Sequence, residues 1–315
     1  MPLFSQLKFL KPLTFNGYLA VILTIALGLF SISFNTLAGD TTPSKVDNYV
    51  AALLGQHKAL TKALADNQFK RPLVLNSTES PEQLKGEIYA VLDYPFTAVN
   101  EALNNPENWC EALTLHINIK YCRAVKNNAG TLLNLNLGKK YDQALAETYK
   151  ASFNYQEVTT RADYFSVELT AKEGPLGTSD YRIWVEATPL KNNQTFLHFT
   201  YAYSFGLAGR IAMKGYLATI GKDKVGFTRI NMQNNANPNY IQGVRGVVER
   251  NTMRYYLTID AYLATLNQPA GKQLDKRLEH WFDSTEQYAQ QLHELERDEY
   301  MQMKRKEFQR QNDVK

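Results

Sequence analysis

Few side chains in this sequence fall where they could do chemistry. Cys110, His116 and Cys122 are evenly spaced, a pattern that suggests metal ligation. Such a site would be one ligand short and lacks the close-spaced pair of structural zinc sites. On one straight strand His116 and Cys122 would lie about 20 Å apart at ~3.3 Å per residue, so no metal is expected. A Cys110–Cys122 disulfide is the better reading for an exported chain with two cysteines. No HExxH, GxSxG, P-loop or dinucleotide fingerprint occurs, and no cofactor is expected. His198 falls on the outward face of its strand, as a surface or satisfied histidine. Arg245, Arg250 and Arg254, with Glu249, read as a solvated helix face, with a grip on an anionic headgroup as the alternative for Arg250 or Arg254. No catalytic group can be assigned; Tyr201 and Tyr203 are the polar side chains an enzyme would have available.

The tyrosines matter more through alternation. Along 180–188, Tyr181, Ile183, Val185 and Ala187 share one face, opposite Asp180, Arg182, Trp184 and Glu186. Along 195–205, Leu197, Phe199, Tyr201, Tyr203 and Phe205 lie opposite His198, Thr200, Ala202 and Ser204. With the apolar faces turned inward beneath a long helix carrying Val248 and Tyr255, the lining set is Tyr181, Ile183, Val185, Leu197, Phe199, Tyr201, Tyr203, Val248 and Tyr255. Such a face either edges a ligand cavity with tyrosine hydroxyls or fills a solid core.

The elements that must position these residues follow from periodicity and punctuation. A helix is expected over about 43–67, and Asn76 to Pro81 reads as loop. Gly86 to Tyr94 reads as a strand stopped by Pro95, Thr97 to Leu103 as a short helix, and Pro106 as the opening of a second. Between 120 and 206, alternating segments at 132–138, 149–159, 164–171, 180–188 and 195–205 are separated by turns, an antiparallel meander of about six strands. Gly243 to Leu266 reads as a long helix, and a charged helix follows from about Gly271 to Gln311, with Lys304 to Lys315 frayed. Its broken apolar stripe (Leu274, Leu278, Trp281, Phe282, Tyr288, Leu292, Leu295, Tyr300) suits docking on the domain or a partner helix.

Strand, two short helices, six strands and a long helix is the order of the START-like (SRPBCC, helix-grip) superfamily. The stretch from Gly86-Glu87-Ile88-Tyr89 through Pro95 to Trp109 resembles its opening, and Gly174 to Leu190 resembles one of its late strands. The resemblance spans roughly 84–267 and rests on pattern, without a specific motif. More narrowly, the chain resembles a group of uncharacterised exported proteobacterial proteins. The resemblance implies an α+β fold, a curved antiparallel sheet closed by a long C-terminal helix, here with an extra charged helix. It does not select among lipid carriers, polyketide cyclases and oxygenase subunits.

The N-terminus bears on location. Lys8 and Lys11 precede an apolar run from Tyr18 to Phe34 and then Thr36, Ala38 and Gly39-Asp40. That is a signal peptide, or an uncleaved inner-membrane anchor making membrane contact through 18–34. Either places the rest in the periplasm. The expected division is 1–38 leader or anchor, 39–85 helical linker, 86–267 START-like domain and 268–315 charged helix. Cleavage removes two lysines, leaving 33 basic and 31 acidic side chains, a net +2 in place of +4. That is too little to imply nucleic-acid binding. The leading expectation is non-enzymatic binding or transfer of a lipid or other hydrophobic molecule in the envelope. A cyclase-like enzyme and an interaction protein using the last helix are the alternatives.

If the two cysteines pair, the local fold is constrained, because bridged Cα atoms lie about 4.4–6.8 Å apart. A helix running to about His116, with Ile117 to Ile119 as the turn, puts Cys110 about 10 Å back and Cys122 about 10–13 Å along the return.

Overall fold

The computed structural model describes residues 45–219, 221–231 and 239–313. The expected leader or anchor, 18–34 included, lies outside them. Residues 43–315 form one compact unit. No helix among the described residues is long and apolar enough to cross a membrane.

Eight antiparallel strands build the main sheet: β1 (Leu73–Glu79), β2 (Gln83–Leu92), β3 (Ile119–Asn127), β4 (Gly130–Leu137), β5 (Tyr149–Thr160), β6 (Phe165–Glu173), β7 (Thr178–Pro189) and β8 (Thr195–Phe205). Their order is β1-β2-β8-β7-β6-β5-β4-β3. Between β2 and β3 run α1's successors, α2 (Phe96–Leu103) and α3 (Pro106–Leu113), α1 itself being Lys45–Ala65 ahead of the sheet. The chain returns from the β3–β8 meander to close beside β2, and α5 (Gly243–Leu263) lies across the inner face. This is the expected α+β helix-grip architecture.

Three boundaries differ from expectation at the front. Asn76 to Glu79, read as loop, belongs to β1, paired from Leu73↔Ala90 to Glu79↔Leu84. It is an edge strand with one partner, and its polar residues face water or charged neighbours rather than core. β2 accordingly starts at Gln83 and ends at Leu92. α3 ends at Leu113, short of His116, although Leu115 N–H to Ala112 O (3.1 Å) and His116 N–H to Leu113 O (3.0 Å) continue the winding as tight turns. With β3 starting at Ile119, Cys110 and Cys122 meet: they form a disulfide with Cα atoms 5.1 Å apart.

Two covers complete the molecule. On the outer face α1 packs Leu53 and Leu64 with Tyr164, just ahead of β6, and Phe196 of β8. On the inner side α5 is buried nearly all round, because further helices close over its back. The single charged helix expected after Gly271 is three: α6 (Ala270–Glu286), α7 (Ala289–Leu292) and α8 (Arg297–Asp313), α4 being an unanticipated helix at Leu207–Ala218. No Pro or Gly marks the breaks at 287–296; tertiary bonds hold them, including Tyr288 O–H to Phe69 O (3.0 Å). Lys304, expected in a frayed end, is 2% exposed. Glu249, Arg250 and Arg254, expected on a solvated face, are buried as well, at 0, 2 and 3%.

α5 approaches the sheet most closely at β2. A methyl group on Gly86 would stand 2.1 Å from Thr252 Oγ1, so only glycine fits there. Further along, over β4 to β7, helix and sheet separate, and space opens between them.

Candidate functional site

That space is a cavity of about 280 Å³ between α5 and the inner face. Leu135, Ala151, Phe153, Leu169 and Ile183 give it an apolar wall because alternation turns them inward on four adjacent strands. Polar groups come from His116, Asn118, Tyr181, Tyr201, Asn251 and Tyr255. A second chamber of about 300 Å³ shares Asn118, Tyr181, Tyr201 and Asn251 and continues beneath α4 to Lys140, Tyr203, Arg250 and Arg254. Leu176 lies at the rim of both. It is 73% exposed and held at φ 59, a left-handed conformation uncommon for a branched side chain. A hollow of about 860 Å³ on the opposite side of β4–β7 is an open surface groove lined by exposed Lys150, Ser152, Asn154 and Arg182, and no helix closes it.

Of the residues expected to line a cavity, Tyr181, Ile183, Tyr201 and Tyr255 border the first chamber, and Tyr203 the second. Val185, Leu197, Phe199 and Val248, expected to line it too, are buried in packed core and border neither chamber. The tyrosines form a cluster: Tyr181 and Tyr203 stack with ring centroids 5.2 Å apart, and Tyr201 and Tyr255 meet tilted at 5.0 Å. Tyr181 O–H pairs with Thr178 Oγ1 at 2.8 Å. The hydroxyls of Tyr201, Tyr203 and Tyr255 have no partner among the described residues. Burial pushes the pKa of all three up, so they are neutral hydrogen-bond donors and acceptors.

His116 is the site residue that sequence reasoning missed, having weighed it only as a metal ligand. It lies in the turn between α3 and β3, 2% exposed, its ring stacked 4.5 Å from Tyr255. Nδ1 accepts a hydrogen bond from the Asn118 backbone N–H at 3.2 Å, and Nε2 is buried without a partner. With Nδ1 accepting, the neutral ring carries its proton on Nε2. Burial, then the nearby cations Arg254, Lys304, Lys140 and Lys120, hold its pKa well below the usual histidine value. His116 is therefore a neutral donor with nothing to donate to.

Its turn is fixed from two directions. The disulfide closes the loop 110–122 that carries Leu113, His116 and Asn118. From behind, α8 takes up the backbone carbonyls that the turn leaves over. Lys304 Nζ donates to His116 O (2.7 Å) and Ile119 O (2.9 Å), and Tyr300 O–H to Leu115 O (2.8 Å). Glu307 balances both Lys304 (2.8 Å) and Lys120 (2.9 Å). Among the described residues no cluster of metal-ligating side chains occurs.

His198 lies on the far side of the sheet. It stacks on Tyr89 at 4.2 Å and faces Glu186 (2.8 Å) and Glu87 (3.2 Å). Burial opposes its charge, but the two carboxylates outweigh that and raise its pKa, while His198 in turn lowers Glu87 to about 2. It is a satisfied structural histidine.

No protein-family model matches the chain, and neither does any curated protein. Among solved structures it is similar to norcoclaurine synthase from Thalictrum flavum, with 11% identity over 47% of this chain and 78% of that one, TM-score 0.31. It is similar also to Ara h 8.0201, with 10% identity over 58% and 99%, TM-score 0.34. A protein from Arthrobacter aurescens shows 16% identity over 62% and 92%, TM-score 0.32. The helix-grip assignment stands on the strand order and the position of α5, independently of these likenesses.

Proposed function

We propose that the protein binds, and passes on, a lipid or other hydrophobic molecule in the bacterial envelope without transforming it. The observation that carries this is the cavity under α5: an apolar wall beside buried polar groups that have no partner of their own. Buried polar groups are costly when unpaired, by about 1–3 kcal/mol each, so the hydroxyls of Tyr201 and Tyr255, on residues that line the cavity, call for a partner from a bound molecule. The START-like (SRPBCC) resemblance, and the narrower one to exported proteobacterial proteins, belong to this reading. So does an envelope location, supported by the leader-like residues 1–38 and by a disulfide suited to an oxidising compartment.

The convergence of His116, Tyr201 and Tyr255 also favours an enzyme acting in the cavity. Against it, a histidine whose pKa is held far down is a weak base, and tyrosines pushed up are weak acids. The groups are suited to recognition. The interaction-protein reading loses its apolar stripe, since Leu278, Trp281, Leu292 and Tyr300 are buried on the domain.

Native mass spectrometry of protein purified from membranes is expected to show a co-purifying hydrophobic molecule, and Leu169→Trp, which intrudes on the first chamber from its apolar wall, to reduce it while the protein stays folded. Ligand-free native protein under the same conditions would overturn the proposal.

A further inference from the structure

The second chamber differs from the first in charge. Glu294, 8% exposed at its side chain, faces Arg254 (2.7 Å), Lys140 (2.5 Å) and Lys224 (2.6 Å), three cations against a single carboxylate. Arg250 adds a fourth. Its Nη1 donates to Val225 O at 3.1 Å, and no carboxylate pairs with it among the described residues. Arg254 Nε is buried without any partner. Arg250, Arg254 and Lys140 line the chamber; Glu173, the carboxylate residue along the first chamber, is exposed at its rim. Uncompensated positive charge in a buried place is unfavourable unless an anion joins it.

We propose that the second chamber takes the anionic head of an amphiphile, a carboxylate or phosphate held by Arg250, Arg254 and Lys140, while its tail occupies the first chamber. This rests on the cavity reading above and specifies the ligand's chemical class. Guanidinium groups suit planar or tetrahedral oxyanions, which they grip with paired N–H donors. The six residues shared by the two chambers, Tyr201 and Asn251 among them, make one continuous surface from apolar wall to cationic end. Separately, burial and the neighbouring Arg254 bring Lys140 down to about 8, the signature of a cation crowded by like charge.

The test compares lauric acid with lauryl alcohol, which differ in the head alone, on delipidated native protein by calorimetry or displacement of a fluorescent probe. Lauric acid is expected to bind about tenfold or more tightly than the alcohol, the range for hydrogen bonds to a charged group. Arg250→Gln and, at the more accessible end, Lys140→Gln are expected to bring lauric acid down toward the alcohol. Circular dichroism reports whether each variant is folded, and Lys140→Gln, at the more exposed side chain, carries the test if Arg250→Gln does not fold. Equal binding of acid and alcohol to native protein would overturn the inference and leave the hydrophobic cavity standing. Inorganic phosphate displacing lauric acid at comparable concentration would overturn it in favour of a free-anion site. Binding of neither amphiphile would bring down the cavity reading itself, and this inference with it.

Discussion

A histidine lies on each side of the sheet, His198 half-buried on the outer face and His116 buried in the turn before β3 on the inner side, and the two are opposites. Beneath α1, His198 has a carboxylate at both ring nitrogens and a tyrosine ring against its face, and Tyr164 O–H donates to the same Glu186 at 2.6 Å. Beneath α5, His116 has one nitrogen satisfied by backbone and the other by nothing. One face has been closed with its own partners. The other has polar groups placed and left open. Alternation along β7 and β8 puts Glu186 and His198 on one face and Tyr181 and Tyr201 on the other, while His116 comes from the turn before β3, so strand pattern alone does not separate the two histidines; the separation is in what each meets.

The sharpest break between the faces should be mechanical. Phe196 is fully buried under α1 in a filled cluster, and Phe196→Ala is expected to destabilise by about 3–5 kcal/mol in denaturant melts. A loss below about 1 kcal/mol would mean that the outer face is loosely packed too. Next in size, replacing Cys110 and Cys122 by serine opens the loop that carries His116. It should cost up to about 3 kcal/mol, with ligand affinity falling alongside. Unchanged affinity would show that α8 alone holds the turn.

Smaller effects separate the histidines by pH. His198 is raised in the folded state, so its share of stability is complete below the unfolded value of 6.5 and is lost as pH rises through the folded value. Glu87 is lowered from 4.5 to about 2, so its share is complete above about 4.5 and is lost on acidification through that window. His116 is lowered, so it stabilises above 6.5 and loses that share as pH falls below. His198→Gln should flatten the alkaline limb of a stability–pH curve, and His116→Phe the limb just below pH 6.5. The reverse assignment would exchange the two faces. Smallest is Tyr201→Phe, which removes an unpartnered hydroxyl. Its melting should move by less than about 1 kcal/mol, while affinity for the co-purifying molecule drops. A large loss of stability would show that the hydroxyl serves the fold.

Much of the frame was legible because periodicity reports it. The meander, the helix pair before it, α5 and the inward tyrosines all follow from spacing and turn residues. What failed was whatever depends on a distant neighbour. β1 reads as loop because an edge strand with one partner has no need of apolar alternation. Arg250, Arg254 and Glu249 read as solvated because nothing local shows that α5 is covered from behind; Glu249 in fact accepts from Phe227 N–H at 2.6 Å and Thr228 N–H at 2.9 Å. The break between α6 and α8 lacks Pro or Gly, and Glu294 sits there among three cations supplied by elements far away in sequence. His116 was the largest omission: its vacancy at Nε2 exists only once the turn, the disulfide and Tyr255 are assembled around it.

The glycine at the grip's tight end has a wider reach than its size suggests. Gly86 lets α5 rest directly on β2, with Thr252 where a side chain would stand. The helix is a rigid rod touching the sheet at that point and standing away from it over β4 to β7, so the contact acts as the fulcrum of a wedge. A methyl group there would lift the rod at its closed end and alter the gap along its whole length. The room available to a ligand among Phe153, Leu169 and Tyr201 is thus set by a residue that does not border it. Natural tuning of cavity size in this architecture can proceed at the fulcrum without changing a single side chain in the wall.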